Sequence, residues 1–228
     1  MRTQINQMEH TQLPAQSPPA FAWEAWYQST GGRSIHISEV DEILRQIKEL
    51  QYPRFVGTVN PHVTTFASIA EASEVIKAKA FELGAGEVGI AEIEPTDIYQ
   101  GRSVHEKYAI VVGQQMLWRQ FQNVPSHDSA VECLRVYYTL GETVIQLAEF
   151  IRSLGYPCVV EHPIGDSDVL HVPLALKAGF GELGRHGSII HPRMGPMFRL
   201  GSVITDMPLL LDHPIDAGRT FCPRRTEN

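Results

Sequence analysis

The chain reads as an α/β domain of three layers, and two observations carry that expectation. Segments with the 3.6-residue apolar period of helices alternate with short apolar runs of strand length. One run, Tyr108-Ala-Ile-Val-Val112, is apolar throughout, as in a central strand covered on both faces.

In order, residues 38–50 place Val40, Ile43, Leu44, Ile47 and Leu50 at helical spacing. Ser68-Ile-Ala-Glu71 is a capping box, whose side chains satisfy free backbone donors at a helix start. That helix runs to about Leu83 and stops at Gly84. Residues 87–93 and 107–114 read as strands, and 129–154 as the longest helix, closed by Gly155. A short strand at 158–161, a helix at 170–178 closed by Gly179, and short strands at 188–191 and 199–205 complete the pattern. Residues 1–22, rich in Gln, Pro and Thr, read as a loose arm, followed by an aromatic cluster of Phe21, Trp23, Trp26 and Tyr27.

With 228 residues the chain can hold one substantial domain, and 43% hydrophobic against 20% charged residues is an ordinary globular balance. A net charge of −7 argues against a general nucleic-acid binder. The first sixteen residues lack the charged start and apolar core of an export signal. The longest apolar stretches fall short of the ~20 residues that span a bilayer, so a soluble, cytoplasmic protein is expected. Cys133, Cys158 and Cys222 show no C-x-x-C spacing. Cys133 and Cys158 read as small buried hydrophobes, whereas Cys222 lies in a polar tail.

The most unusual segment is Ala178-Gly-Phe-Gly-Glu-Leu-Gly-Arg-His-Gly187 with its continuation to Gly201, six glycines in 24 residues. Such density suits either tight turns between short strands or a loop that lets backbone approach a flat or phosphorylated ligand. A dinucleotide fingerprint does not fit, because no strand precedes Gly179. Lys177, Arg185, His186, His191, Arg193 and Arg199 face a single local acid, Glu182, which suits either an anionic ligand group or a solvated basic face.

The order Ala178-Gly-Phe-Gly-Glu-Leu-Gly-Arg185, His191-Pro-Arg-Met-Gly-Pro196 and Arg199-Leu-Gly-Ser-Val-Ile-Thr-Asp-Met-Pro-Leu209 resembles the hallmark block of the cobalamin-dependent reductive dehalogenases. Epoxyqueuosine reductases share a looser version. Val56-Gly-Thr-Val-Asn-Pro61, Leu83-Gly-Ala-Gly-Glu-Val-Gly-Ile-Ala91 and Lys107-Tyr-Ala-Ile-Val111 are similar too, so the resemblance covers roughly residues 55–215.

The resemblance implies a nitroreductase-like domain that holds a corrinoid, cobalamin, in a deep cleft. It assigns Gly181, Glu182, Leu183, Gly184, Arg185, His186, Gly187, Gly195, Pro196 and Met197 to cofactor binding. It places the family's proton-donating tyrosine at Tyr137, with Tyr138 as the competing choice; both also suit a helix core. A phenol ionises near pH ~10, so donation at neutral pH needs a cation to stabilise phenolate. Arg199 matches the family's arginine and would stabilise both phenolate and departing halide. The third polar position falls on Asp166. An acid there is similar to the aspartate of epoxyqueuosine reductases; alternatively Asp166 or Ser167 caps the helix that follows. Asp206 reads as structural, holding a turn before Pro208.

Family members continue into C-x2-C-x2-C-x3-C-P runs that ligate two iron–sulfur clusters, and a [4Fe–4S] cluster needs about four thiolates. Here Cys222 stands alone, so no cluster is supported. The expected plan is an arm at 1–37, a corrinoid-binding domain at 38–215, and at 216–228 the remnant of a truncated ferredoxin-like segment. The expected function is removal of halide from an organohalide, with a separate electron donor. A non-catalytic cobalamin-binding module and an epoxyqueuosine reductase-like enzyme are the alternatives.

Overall fold

A computed structural model describes residues 37–165 and 167–215. Their helices and strands follow the expected order: α1 (Ser38–Gln46), α2 (Ile69–Glu82), β1 (Glu87–Glu92), β2 (Tyr108–Gln115), α3 (His127–Ser153), β3 (Cys158–Glu161), α4 (His171–Lys177), β4 (Glu182–Leu183), β5 (Ile189–Ile190) and β6 (Phe198–Thr205). Four strands form one sheet in the order β1-β2-β6-β3, and every neighbouring pair is antiparallel. β4 and β5 form a separate hairpin.

The three layers follow from side-chain alternation along the strands. Val88, Ile90, Ile110, Val112, Val160 and Val203 pack against Ala72, Ile76 and Ala80 of α2 and Leu140, Val144, Ala148 and Ile151 of α3. Ala91, Ala109, Val111, Ile204 and Phe198 face the other way, onto Leu174 and Ala175 of α4 and onto Phe180 and Ile189. The apolar run of β2 is therefore central and doubly covered, in an antiparallel sheet. Burial of each large aliphatic side chain contributes roughly 1.5–3 kcal/mol.

Two boundaries differ by more than one residue from the sequence expectation, and β4 was not among the expected strands. The first helix is regular only to Gln46 and continues as a π-turn, Ile47–Gln51, that delivers Gln51 into the interior. The long helix starts two residues early, because Ser126 and Ser129 cap it reciprocally: Ser129 N–H donates to Ser126 Oγ (3.2 Å) and Ser126 N–H to Ser129 Oγ (3.0 Å). At α2, Ser68 Oγ accepts the Glu71 N–H as expected (3.1 Å), but the Glu71 carboxylate reaches back to Ala67 N–H. Asp206 is structural, its carboxylate accepting the Lys107 N–H at 3.0 Å. Asp212 covers the open edge of β1, taking the Ile90 N–H (2.8 Å) and pairing with Lys77 (2.6 Å). Among the described residues no helix is long and apolar enough to cross a membrane.

Candidate active site

One end of the sheet, where β1 begins, β2 ends, β6 begins and β3 ends, gathers the polar groups. Arg199 is the second residue of β6 and points toward α3, as the alternation from Val203 requires. On α3, the buried stripe of Val136, Leu140 and Val144 faces the sheet; Cys133, Tyr137 and Gly141, spaced by four, form its flank at this end. The Arg199 guanidinium lies over the Tyr137 ring, 4.8 Å from its centroid, and donates from Nη2 to Cys133 Sγ at 3.2 Å. A cation on an aromatic face contributes about 0.5–2 kcal/mol. Across the ladder, Gln114 stands opposite Arg199 and accepts from Thr139 Oγ1 at 3.0 Å. Arg199 Nε is buried with no hydrogen-bond partner, a deficit of about 1–3 kcal/mol that an arriving acceptor would relieve.

The fold thus brings Tyr137 and Arg199 together from separate elements. Tyr138 plays another part: its carbonyl accepts from Gln51 Nε2 at 2.8 Å. Cys133 departs from the expectation of a buried hydrophobe. It is half-buried and bonds to a guanidinium, a partner that lies 66 positions away and has no local signature. Cys158 is likewise only partly buried, packed at the edge of the core, and burial pushes its pKa up to about 11. Asp166, Cys222 and the Phe21–Tyr27 aromatic cluster lie outside the described residues. Ser167 does not cap α4, whose N-cap position is Leu170 and which has no side-chain cap. Its hydroxyl instead donates to Glu161 Oε2 at 2.7 Å.

After β3, His162, Pro163, Gly165, Ser167 and His171 line a cleft of about 390 Å³ together with Tyr99, Gln100 and Arg102. Burial raises the pKa of Glu161, and it lowers those of His162 and His171 to about 4, so both imidazoles are neutral at pH 7. His171 Nδ1 shares a hydrogen bond with Ser202 Oγ at 3.1 Å, and its Nε2 is buried without a partner.

The glycine-rich block forms the β4–β5 hairpin, on the α4 side of the sheet, opposite Tyr137. Gly181 (φ 153°) has to be glycine, since a Cβ there would lie 2.2 Å from the Ile190 carbonyl oxygen. Glu182 and Leu183 make β4, Gly184 and Gly187 close the turn, and Leu183, Arg185, His186 and Pro196 are exposed. Gly195 closes a bridge with His191, and Met197 accepts the Met116 N–H. Beside Gly187 and Gly195 a Cβ would meet only open space. Leu183 is exposed and the backbone at Gly187 and Gly195 is uncovered on the α4 side of the sheet, whereas Arg199 faces α3.

Three of the six basic residues of this block are paired with distant acids. Lys177 pairs with Glu94 and Asp97 (both 2.6 Å), while His191 and Arg193 share Glu87 (3.1 and 2.5 Å). These acids lie 80 to 106 positions upstream, so a sequence window around the loop omits them. A further signal was available in Gly141: a glycine inside a long helix disfavours it by ~1 kcal/mol relative to Ala and often marks close packing. Here it admits His162 and Gln51, neither of which stood out in the sequence.

No family model matches the chain. It is 34% identical over 135 residues to the tetrachloroethene reductive dehalogenase of Dehalobacter restrictus, covering 59% of the chain and 24% of that protein. The enzyme of the same name from Sulfurospirillum multivorans is 36% identical over 115 residues (50% and 22%). The epoxyqueuosine reductase of Salmonella typhimurium is 36% identical over 92 residues (37% and 22%). Among solved structures, the catabolic reductive dehalogenase NpRdhA in complex with 3-bromo-4-hydroxybenzoic acid superimposes with a TM-score of 0.67 at 26% identity, over 81% of the chain and 27% of that protein. The chain spans about a quarter of the length of these dehalogenases. These matches make the chain a homologue of the reductive dehalogenases, with the epoxyqueuosine reductases as further relatives.

Proposed function

We propose that this chain forms the corrinoid-holding part of a reductive dehalogenase and replaces the halogen of an organohalide with hydrogen. The observation that carries the reading is the stacked Tyr137–Arg199 pair, formed by the two residues that the family motifs assign to proton donation and anion stabilisation.

The net reaction takes two electrons and one proton: the carbon–halogen bond breaks, a carbon–hydrogen bond forms and halide leaves. A corrinoid, when bound, would supply the two electrons, and a separate donor would replenish them. The β4–β5 hairpin, with Leu183 and its open glycines, would hold that group, together with Gly195, Pro196 and Met197. Tyr137 delivers its phenolic proton to the carbon and regains one from solvent. Arg199 keeps its charge throughout and stabilises the phenolate and the departing halide in turn. Its contact to Cys133 and its position over the ring hold the guanidinium ready for this, so little reorganisation accompanies charge development.

The test is a cobalamin titration of the purified chain followed by turnover of 3-bromo-4-hydroxybenzoate with a strong chemical reductant. Binding with halide release is expected, and Tyr137→Phe should lose at least about 100-fold in rate while still binding cobalamin. Absence of cobalamin binding would refute the proposal. Loss of turnover in Tyr138→Phe instead would move the donor by one residue.

A further inference from the structure

We propose that His162 is a positioning residue, which clamps the loop after β3 to the turn of α3 that carries Tyr137. What is clamped matters for catalysis only if the dehalogenase reading holds; the clamp itself stands on geometry.

His162 and Gln51 are both buried, at 2% and 0% exposure. Gln51 Nε2 donates to the Tyr138 carbonyl at 2.8 Å, which fixes the amide orientation and turns Oε1 toward His162. His162 Nε2 lies 2.9 Å from that oxygen, so Nε2 carries the proton. Nδ1 is then an acceptor, and it takes the Ile164 N–H at 3.2 Å. The ring is stacked on Phe55 (centroids 5.3 Å apart) and meets Tyr52 edge-on (5.9 Å). Gly141 leaves room for the contact: a Cβ there would lie 2.2 Å from His162 Nε2 and 2.6 Å from Gln51 Oε1.

Three separate pieces of the chain are joined in this way. The π-turn supplies Gln51, the segment after β3 supplies His162, and α3 supplies the Tyr138 carbonyl and the Gly141 gap. The tautomer protonated at Nε2 satisfies the bond to Gln51 Oε1 and the bond from the Ile164 N–H, and leaves the Ile164 carbonyl, 3.3 Å from Nδ1, as a contact without a proton. The loop so anchored runs through Pro163 and Gly165 along the cleft wall, and Pro163 packs toward Gly201 of β6, two residues from Arg199. The clamp therefore ties together the elements on which both Tyr137 and Arg199 are mounted.

The experiment uses the full chain, with nitrogen-15 labelling of the imidazoles and amide hydrogen exchange. At pH 7 the His162 resonances should show a protonated Nε2 and a bare Nδ1. In Gln51→Met, amides at 164–165 and 167–170 should exchange at least about 10-fold faster while those of α2, at 69–82, are unchanged. His162→Gln keeps the reach to Gln51 and should protect the loop better than His162→Asn. With 3-bromo-4-hydroxybenzoate and chemical reductant, Gln51→Met should lower kcat about 10-fold and leave KM within about twofold. The opposite tautomer, or exchange that rises equally in α2 and the loop, overturns the clamp. Wild-type protein without turnover would refute the dehalogenase reading alone, because tautomer and exchange still decide the role of His162.

Discussion

Acidification from pH 7 to pH 5 should weaken the fold through two buried imidazoles, His162 and His171. Burial lowers each to about 4, whereas an unfolded histidine titrates near ~6.5. Between those values the unfolded chain binds more protons than the folded one, so stability rises with pH and falls on acidification. The contribution is fully present above ~6.5 and is lost as pH falls toward 4. Linkage gives about 1.4 kcal/mol per pH unit per group in this window, hence roughly 2 kcal/mol for each histidine between pH 7 and 5. The pair together gives about 4 kcal/mol, an upper figure because Glu161, raised by its burial, works in the opposite sense. Urea unfolding at the two pH values measures it in the wild type and in His162→Gln/His171→Gln. The wild type should lose several kcal/mol and the double variant, already weaker at pH 7, should lose much less. Equal losses in the two proteins, or a wild type whose stability is flat from pH 7 to 5, would refute the reasoning.

Two further outcomes follow from the same geometry. Gly141→Ala places a methyl group within the Gln51–His162 contact and should destabilise by about 1–3 kcal/mol, read as a lowered urea midpoint, although alanine ordinarily favours a helix. Cys133 should react with iodoacetate faster relative to iodoacetamide than a free thiol does, because the Arg199 guanidinium beside it attracts the carboxylate. In Arg199→Gln that preference should vanish, and a preference that survives would place the attracting charge elsewhere.

Much of the fold was legible in the chain. The helical periods, the apolar run of β2 and the caps at Ser68 and Gly84 are local properties, and β3 was placed with its observed limits. The motif order also pointed to Tyr137 and Arg199, which the fold stacks together. Less legible were residues whose meaning lies in a distant partner. Gln51 and His162 are unremarkable in their own windows, and Cys133 resembles any core cysteine until Arg199 arrives from β6. Part of the basic look of the glycine-rich block was misread for the same reason, since Glu87, Glu94 and Asp97 pair with Lys177, His191 and Arg193 from far upstream.

Apolar period, capping chemistry and motif order therefore determined the layers, most element limits and the family likeness, because each is written within a few consecutive residues. Strand order, the antiparallel pairing and the company each polar side chain keeps were decided only by the tertiary structure. Those depend on which apolar faces bury one another, and a contact between β6 and α3, or between a π-turn and the loop after β3, has no trace at short sequence separation.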